Sequence, residues 1–200
     1  MRIIGIAGAS GSGKSELARE VSEALGGVSI LTLDSYYREL GHLTEEERAQ
    51  VDFDDPSALE FNLIVEHLRA LKAGQAVDEP VYSFAHHTRT GESKRIAPTD
   101  PVIVEGLLAL HWPELREIFD LRVFVQTDPE ECFRRRLERD VRTRGRTPES
   151  VYSQYEKTVR PAAEKYVFPS AKWADLIVSG EQPLTRSRAA VLQALQNLSA

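Results

Sequence analysis

The stretch Gly8-Ala9-Ser10-Gly11-Ser12-Gly13-Lys14-Ser15 fits the pattern G-x-x-x-x-G-K-[ST]. The apolar run Ile3–Ala7 precedes it and reads as a buried strand. The residues from Glu16 to Leu25 follow and read as a helix closing at Gly26-Gly27. Strand, glycine-rich loop and helix are the context this motif needs. The glycines let the backbone wrap a polyphosphate with its N–H groups turned inward. The helix N-terminus adds a favourable dipole. Lys14 is spaced to reach β- and γ-phosphates, and the Ser15 hydroxyl to ligate Mg²⁺. The motif points to nucleotide binding without naming a reaction.

Outward from this loop, strand-like runs recur at 28–33, 102–104, Leu121–Gln126 and 176–178, with helical segments between them. That alternation predicts an α/β fold with a parallel sheet covered on both faces. Asp55-Pro56 opens a helix predicted over 57–73 and closed by Gly74. Thr127-Asp128-Pro129 opens a second, expected to run to Asp140. Thr147-Pro148-Glu149-Ser150 opens a third, which Pro161 is expected to end or kink. Residues 75–98 break the alternation. Two extended pieces, 76–84 and 93–97, flank the turn-like Thr88-Arg89-Thr90-Gly91. They predict a β-hairpin insertion beside the nucleotide site.

The 200 residues suit one domain, 42% apolar and 28% charged. The net charge of −6 argues against a general nucleic-acid binder. No apolar stretch is long enough to span a membrane, and Met1-Arg2-Ile3 leads straight into a strand, so no signal peptide is expected. Cys132 is the only cysteine. It allows no intramolecular disulfide, fits a reducing cytoplasmic setting, and reads as a small helix residue. Trp112 and Trp173 read as packing residues.

Two carboxylates end predicted strands. Asp34 follows Ile30-Leu31-Thr32-Leu33, and ligands bind beyond the carboxyl ends of strands in parallel α/β sheets. Such a carboxylate can position an attacking hydroxyl and accept its proton, or it can simply cap the next turn. Glu105 ends Pro101-Val102-Ile103-Val104 and suits the acidic partner of a Mg²⁺-holding phosphate loop. The segment from Phe133 to Arg146 holds seven arginines. It is expected to pass from helix into a mobile Gly-containing loop, a lid at about 139–149 that closes guanidinium groups over transferring phosphate. Arg136 and Arg139 are spaced to share one helix face. Arg134, Arg135 and Arg142 read equally well as surface residues. His86 and His87 are adjacent on an extended segment, so at most one should face a ligand.

The ordered motifs GASGSGKS, LDSYYREL, DFDDPSAL, PVYSFAHHTR, PVIVEGLL, RRLERDVRTRGRTPESVYSQYEKTVRP and KWADLIV resemble the uridine kinase (uridine–cytidine kinase) family. The resemblance runs from about Ile3 to Gly180. It implies a five-stranded parallel sheet of the P-loop kinase type, a hairpin over a nucleoside, an arginine lid and commonly a homotetramer. It implies transfer of the ATP γ-phosphate to the 5′-hydroxyl of uridine or cytidine in pyrimidine salvage. By the same resemblance, Gly8, Ala9, Ser10, Gly11, Ser12, Gly13, Lys14 and Ser15 hold the nucleotide, and Asp34 is the catalytic base. Ser15, Glu105 and Asp34 form the Mg²⁺ environment. Lys14, Arg139 and Arg144 serve the transferring phosphate. Tyr37, Asp54, Tyr82, His87, Arg136, Arg146 and Gln154 hold the nucleoside, with Asp54 and Arg136 on the ribose side and Tyr82 and His87 on the base side. Two departures lie beside these positions. Tyr82-Ser83-Phe84 stands where the family usually has Tyr-Asp-Phe, and Asp52-Phe53-Asp54-Asp55-Pro56 where it usually has Asn-(Phe/Tyr)-Asp-His-Pro. A kinase acting on pantothenate or a sugar phosphate is the nearer alternative. A regulatory ATPase without a small-molecule acceptor is the more distant one.

Overall fold

Strand β1 (Ile3–Ala7) is buried along its whole length. Side chains alternate across a strand, so Ile3 and Ala7 enter one apolar layer and Ile4 and Ile6 the other. The computed structural model describes residues 1–48, 51–84 and 86–198. Its other strands are β2 (Ile30–Thr32), β3 (Val77–Ser83), β4 (Thr88–Ile96), β5 (Val102–Glu105), β6 (Leu121–Gln126) and β7 (Leu176–Ser179). Five of them form one sheet in the order β2-β5-β1-β6-β7, every pairing parallel. The helices are α1 (Lys14–Ala24), α2 (Glu45–Arg48), α3 (Phe61–Lys72), α4 (Pro113–Ile118), α5 (Pro129–Arg144), α6 (Pro148–Gln154), α7 (Arg160–Ala162) and α8 (Leu184–Asn197). Helix α1 buries Leu17, Ala18 and Val21 and α8 buries Val191 and Leu195, all against Ile4, Ile6, Ile103 and Val123. On the opposite face, Ile64, Leu68 and Leu71 of α3 and Leu115 of α4 meet Ile3, Leu31, Val104 and Phe124. The expected parallel α/β architecture is present. None of the helices among the described residues is long and apolar enough to cross a membrane.

Several boundaries differ from the sequence reading. Strand β2 is only three residues long, because Leu33–Tyr36 winds into a 3₁₀ turn that carries Asp34. The helix expected over 57–73 is split. Asp55 caps a short 3₁₀ turn, Pro56–Ala58, and α3 begins at Phe61. Between them, Leu59 bridges to Tyr37 and the Glu60 N–H donates to the Tyr36 carbonyl at 2.9 Å. These tertiary backbone bonds replace the helical ones. Helix α5 runs beyond Asp140 to Arg144 and ends at Gly145, φ 64°, so the arginines through Arg144 are helical and not on a loop. Pro161 does not end its helix. The chain widens into π-helical turns, Tyr155–Val159 and Ala163–Val167, on either side of α7. A π turn lets a helix absorb a residue that cannot donate its N–H. Trp112 packs against the core as expected, whereas Trp173 is 44% exposed under Arg116 and Lys172.

The hairpin exists, but its turn is elsewhere. Thr88-Arg89-Thr90-Gly91 lies in β4, whose pairing with β3 runs to Ser83↔Thr88, and His87 just before it adopts φ 50°. Ala85 falls outside the described residues. Gly91 serves a bulge instead: pairing shifts between Pro80↔Ser93 and Tyr82↔Arg89, and Gly91 takes φ 81° there. Polar contacts tie the hairpin to the main body. The buried Glu79 carboxylate accepts the Thr32 N–H at 2.6 Å, and Arg89 pairs with Glu60 at 2.9 Å.

All five parallel strands deliver their carboxyl ends to one edge. The glycine-rich loop leaves β1 there and packs against the start of α5. A Cβ on Gly11, φ 87°, would stand 2.2 Å from the Cys132 carbonyl oxygen. Gly27 has a similar φ of 86° but open space around it. Gly27→Ala should therefore lose only the left-handed strain, about 1–2 kcal/mol. Gly11→Ala adds a clash with fixed backbone and should lose clearly more stability in chemical denaturation. Equal losses would show that the loop yields freely at Gly11.

Candidate functional site

Gly13, φ 95°, precedes the first turn of α1, so the loop backbone feeds directly into the helix N-terminus. Behind the loop, the Thr127 hydroxyl donates to the Ser12 carbonyl at 2.9 Å. Arg135 donates to the Gly180 carbonyl at 3.0 Å, linking α5 to the end of β7. The loop is thus braced by the ends of β6 and β7 and by α5. Lys14 is only 8% exposed. Its buried ammonium lies among carboxylates, which offset the cost of removing it from water.

Glu105 is 5% exposed at the end of β5, level with Ile6 on one side and Thr32 on the other. Its Oε2 accepts the Ser15 hydroxyl at 3.1 Å. Burial pushes its carboxyl above the usual range, and the Asp34 charge pushes the same way. Lys14 and the Ser15 and Thr32 hydroxyls oppose them. Asp34 therefore stands at the neighbouring strand end, close enough for its charge to act on Glu105, Tyr37 and Asp54. The structure brings Lys14, Ser15, Asp34 and Glu105 together because two adjacent parallel strands and the loop of a third end at one level.

Asp54 is 8% exposed. Burial lifts its carboxyl to about 6, the Asp52 and Asp34 charges add to the rise, and Arg136 and Lys14 oppose it. Beside it, Tyr37, Phe53 and Tyr82 form an aromatic cluster with ring centres 5.2–6.4 Å apart. The His87 ring lies flat on Phe53, 5.1 Å away with planes 16° apart. His86, its neighbour, is exposed. Phe84 packs edge-on to Tyr82 from the hairpin end. Phe53 and Phe84 were not singled out in the sequence. Phe53 could have been noticed because it sits between Asp52 and Asp54. Phe84 carries no local signal, since only the hairpin register brings it to the site.

The arginines enter from the other side. Arg136 is 7% exposed and forks between two partners, donating to Ser10 Oγ at 2.9 Å and to Gln154 Oε1 at 3.0 Å. Arg139 also reaches Ser10 Oγ, at 3.4 Å, so Arg136 and Arg139 share the predicted face. Arg146 donates to the same Gln154 oxygen and to the Ser150 carbonyl at 3.3 Å. The Arg144 guanidinium lies over the Phe84 ring, 4.5 Å from its centre, which joins the end of α5 to the hairpin. Arg134 and Arg142 face solvent, and Arg134 pairs with Glu131 and Glu138 on the helix surface. The residues that the resemblance assigns to nucleotide, metal and nucleoside therefore gather at one cleft, while His86, Arg134 and Arg142 stay at the surface. A glycine loop with Lys14 lies at its floor, carboxylates line one wall, and guanidinium groups line the other. Donors of this kind can hold a polyphosphate while a carboxylate orients an acceptor hydroxyl.

Comparison with known proteins agrees with this geometry. A family model described as the Phosphoribulokinase / Uridine kinase family matches residues 3–183. The uridine kinase of Shewanella pealeana is 47% identical over 182 residues, covering 88% of this chain and 86% of that protein. The uridine kinase of Erwinia tasmaniensis is 46% identical over 182 residues, with 88% and 85% covered. Among solved structures, phosphoribulokinase from Rhodobacter spheroides superposes with a TM-score of 0.62 at 16% identity, over 92% of this chain and 73% of that one, a likeness of fold. With a cleft of this composition on a parallel sheet of this order, and a family match spanning nearly the whole chain, the protein belongs to the phosphoribulokinase / uridine kinase family and is a kinase.

Proposed function

We propose that this kinase transfers the γ-phosphate of ATP to the 5′-hydroxyl of uridine or cytidine. The observation that carries the reading is the aromatic cluster of Tyr37, Phe53, Tyr82 and His87 beside Asp34 and the glycine loop. Flat rings suit the faces of a pyrimidine. The relatives from Shewanella pealeana and Erwinia tasmaniensis are named uridine kinases, which supports this reading.

In this reading Asp34 orients the 5′-hydroxyl in line with the γ-phosphate and accepts its proton. Asp54 and Arg136 hold the ribose, and Tyr37, Tyr82, His87, Arg146 and Gln154 complete the nucleoside site. Lys14, Arg139 and Arg144 neutralise charge that spreads over the transferring group. The paired oxygens of Ser15 and Glu105 are a hard donor set of the kind Mg²⁺ takes, with Asp34 close by. Ser15 and Glu105 would hold Mg²⁺, which would supply neutralisation of the phosphate charge.

Asp34→Asn should retain ATP binding and lose about 10²–10⁴-fold in kcat. Turnover near wild type would remove Asp34 from the chemistry. Arg139→Ala and Arg144→Ala should lower kcat more than they weaken nucleoside binding, because the charge they meet develops in the transition state. Arg142→Ala, on the exposed side of α5, should be nearly neutral. Equal effects at the three positions would make the run a solvated face. A neutral histidine can present either a donor or an acceptor nitrogen to the pyrimidine N3 position. His87→Tyr should therefore change the ratio of kcat/KM for uridine and cytidine. An unchanged ratio, or a change produced by His86 substitution instead, would exclude His87 as the base reader.

A further inference from the structure

Asp140 lies in the last third of α5 with none of its surface exposed. Three arginines of the same helix converge on it. Arg139 donates to Oδ1 through Nε and places Nη2 at the same oxygen, both at 2.8 Å. Arg144 Nη1 stands 3.4 Å from that oxygen. Arg136 Nε lies 3.6 Å from Oδ2, too far for a hydrogen bond, and neither atom has another partner among the described residues. The Arg146 N–H closes the end of the helix onto the Asp140 carbonyl at 3.2 Å. With Arg136 four residues before Asp140 and Arg144 four after, the carboxylate sits at the middle of one helix face. These are the arginines that meet the glycine loop and the hairpin: Arg136 and Arg139 at Ser10, Arg144 at Phe84.

Burying a carboxylate is costly unless it is paired, and one of these oxygens is left without a hydrogen bond. Three neighbouring guanidinium groups also repel one another and, unrestrained, would turn to water. One shared anion behind them changes this. It offsets their repulsion and fixes the planes of long, rotamer-rich side chains. The free nitrogens of Arg136 and Arg139 reach Ser10 of the loop, and the Arg144 guanidinium lies over Phe84 of the hairpin. We propose that Asp140 is a positioning residue, a buried common counter-ion that holds Arg136 and Arg139 turned toward the phosphate loop and Arg144 toward the hairpin before nucleotide arrives. The proposal rests on the phosphate role given to Arg139 and Arg144 above.

The consequence is a specific pattern of coupling. In Asp140→Asn the arginines keep their charge and their attraction for ATP but lose their aim. The KM for ATP should stay within about threefold, while kcat falls about tenfold or more. Arg144→Ala should cost about tenfold or more in the wild-type background and less than about threefold in Asp140→Asn. A merely structural role would instead multiply the two losses. Multiplying losses, or Asp140→Asn turnover within about threefold of wild type, would overturn the proposal. If Arg139→Ala and Arg144→Ala cost nothing in the wild-type background, the phosphate role itself fails and this proposal with it. A measurement on the unsubstituted protein stands apart from any folding defect. Side-chain ¹⁵N relaxation without nucleotide should find Arg139 and Arg144 Nε markedly more ordered than Arg142 Nε. Equal mobility at the three would show that Asp140 holds nothing in place.

Discussion

Burial of β1 on both faces is the constraint on which the rest depends. Because Ile3 to Ala7 are covered on each side and paired along each edge, the chain leaves the core at one point and in one direction. The glycine loop inherits that exit. Its path is confined further by α5, whose Cys132 carbonyl leaves no room for a side chain at Gly11, and by Thr127 beneath Ser12. A loop so confined presents its N–H groups in advance, so little ordering remains when an anion binds.

Charge is sorted around this loop by the same topology. Two carboxylates come from neighbouring parallel strands, or the turn just after, and so collect on one wall, Asp34 beyond β2 and Glu105 on β5, and Asp54 joins them from the segment before Pro56–Ala58. The guanidinium groups come from one helix and collect on the other. Burial raises Glu105 and Asp54 above ordinary carboxylates, and the Asp34 charge adds to the rise in both. Lys14 between the walls moderates each. A polyphosphate belongs on the cationic side and an uncharged hydroxyl acceptor on the anionic side, which is the asymmetry a phosphoryl transfer from nucleotide to alcohol needs.

The hairpin closes the cleft from outside the sheet. Glu79 and Arg89 fasten it to β2 and to the segment before α3, while Phe84 at its far end meets Arg144. The acceptor side and the phosphate side are therefore in physical contact through one cation–aromatic pair. The aromatic cluster within, Tyr37, Phe53 and Tyr82, is assembled from three separate segments that only the bridge between Tyr37 and Leu59 and the hairpin register bring together.

Much of this was legible in the residues themselves. The apolar run before the glycines, Asp34 and Glu105 after β-branched stretches, and proline or aspartate at helix starts are local signals. They work because backbone sterics, capping and burial act over a few residues. The places where the reading strayed are those where distant backbone competes with local preference. Leu59 left its expected helix to bridge Tyr37, Gly91 served a bulge and not the turn, and α5 carried its arginines past Asp140 because Gly145 rather than the charge run ends it. Sequence by itself determined the strand–loop–helix, the parallel α/β class and the identity of the charged groups, since these follow from composition and spacing along one segment. Tertiary structure alone decided that Phe53 stacks on His87, that Phe84 carries Arg144, and that Asp140, which helical spacing sets beside its arginines, is buried. Those contacts are set by how elements far apart in the chain pack, or by which side of a helix the core buries, and no local spacing encodes that.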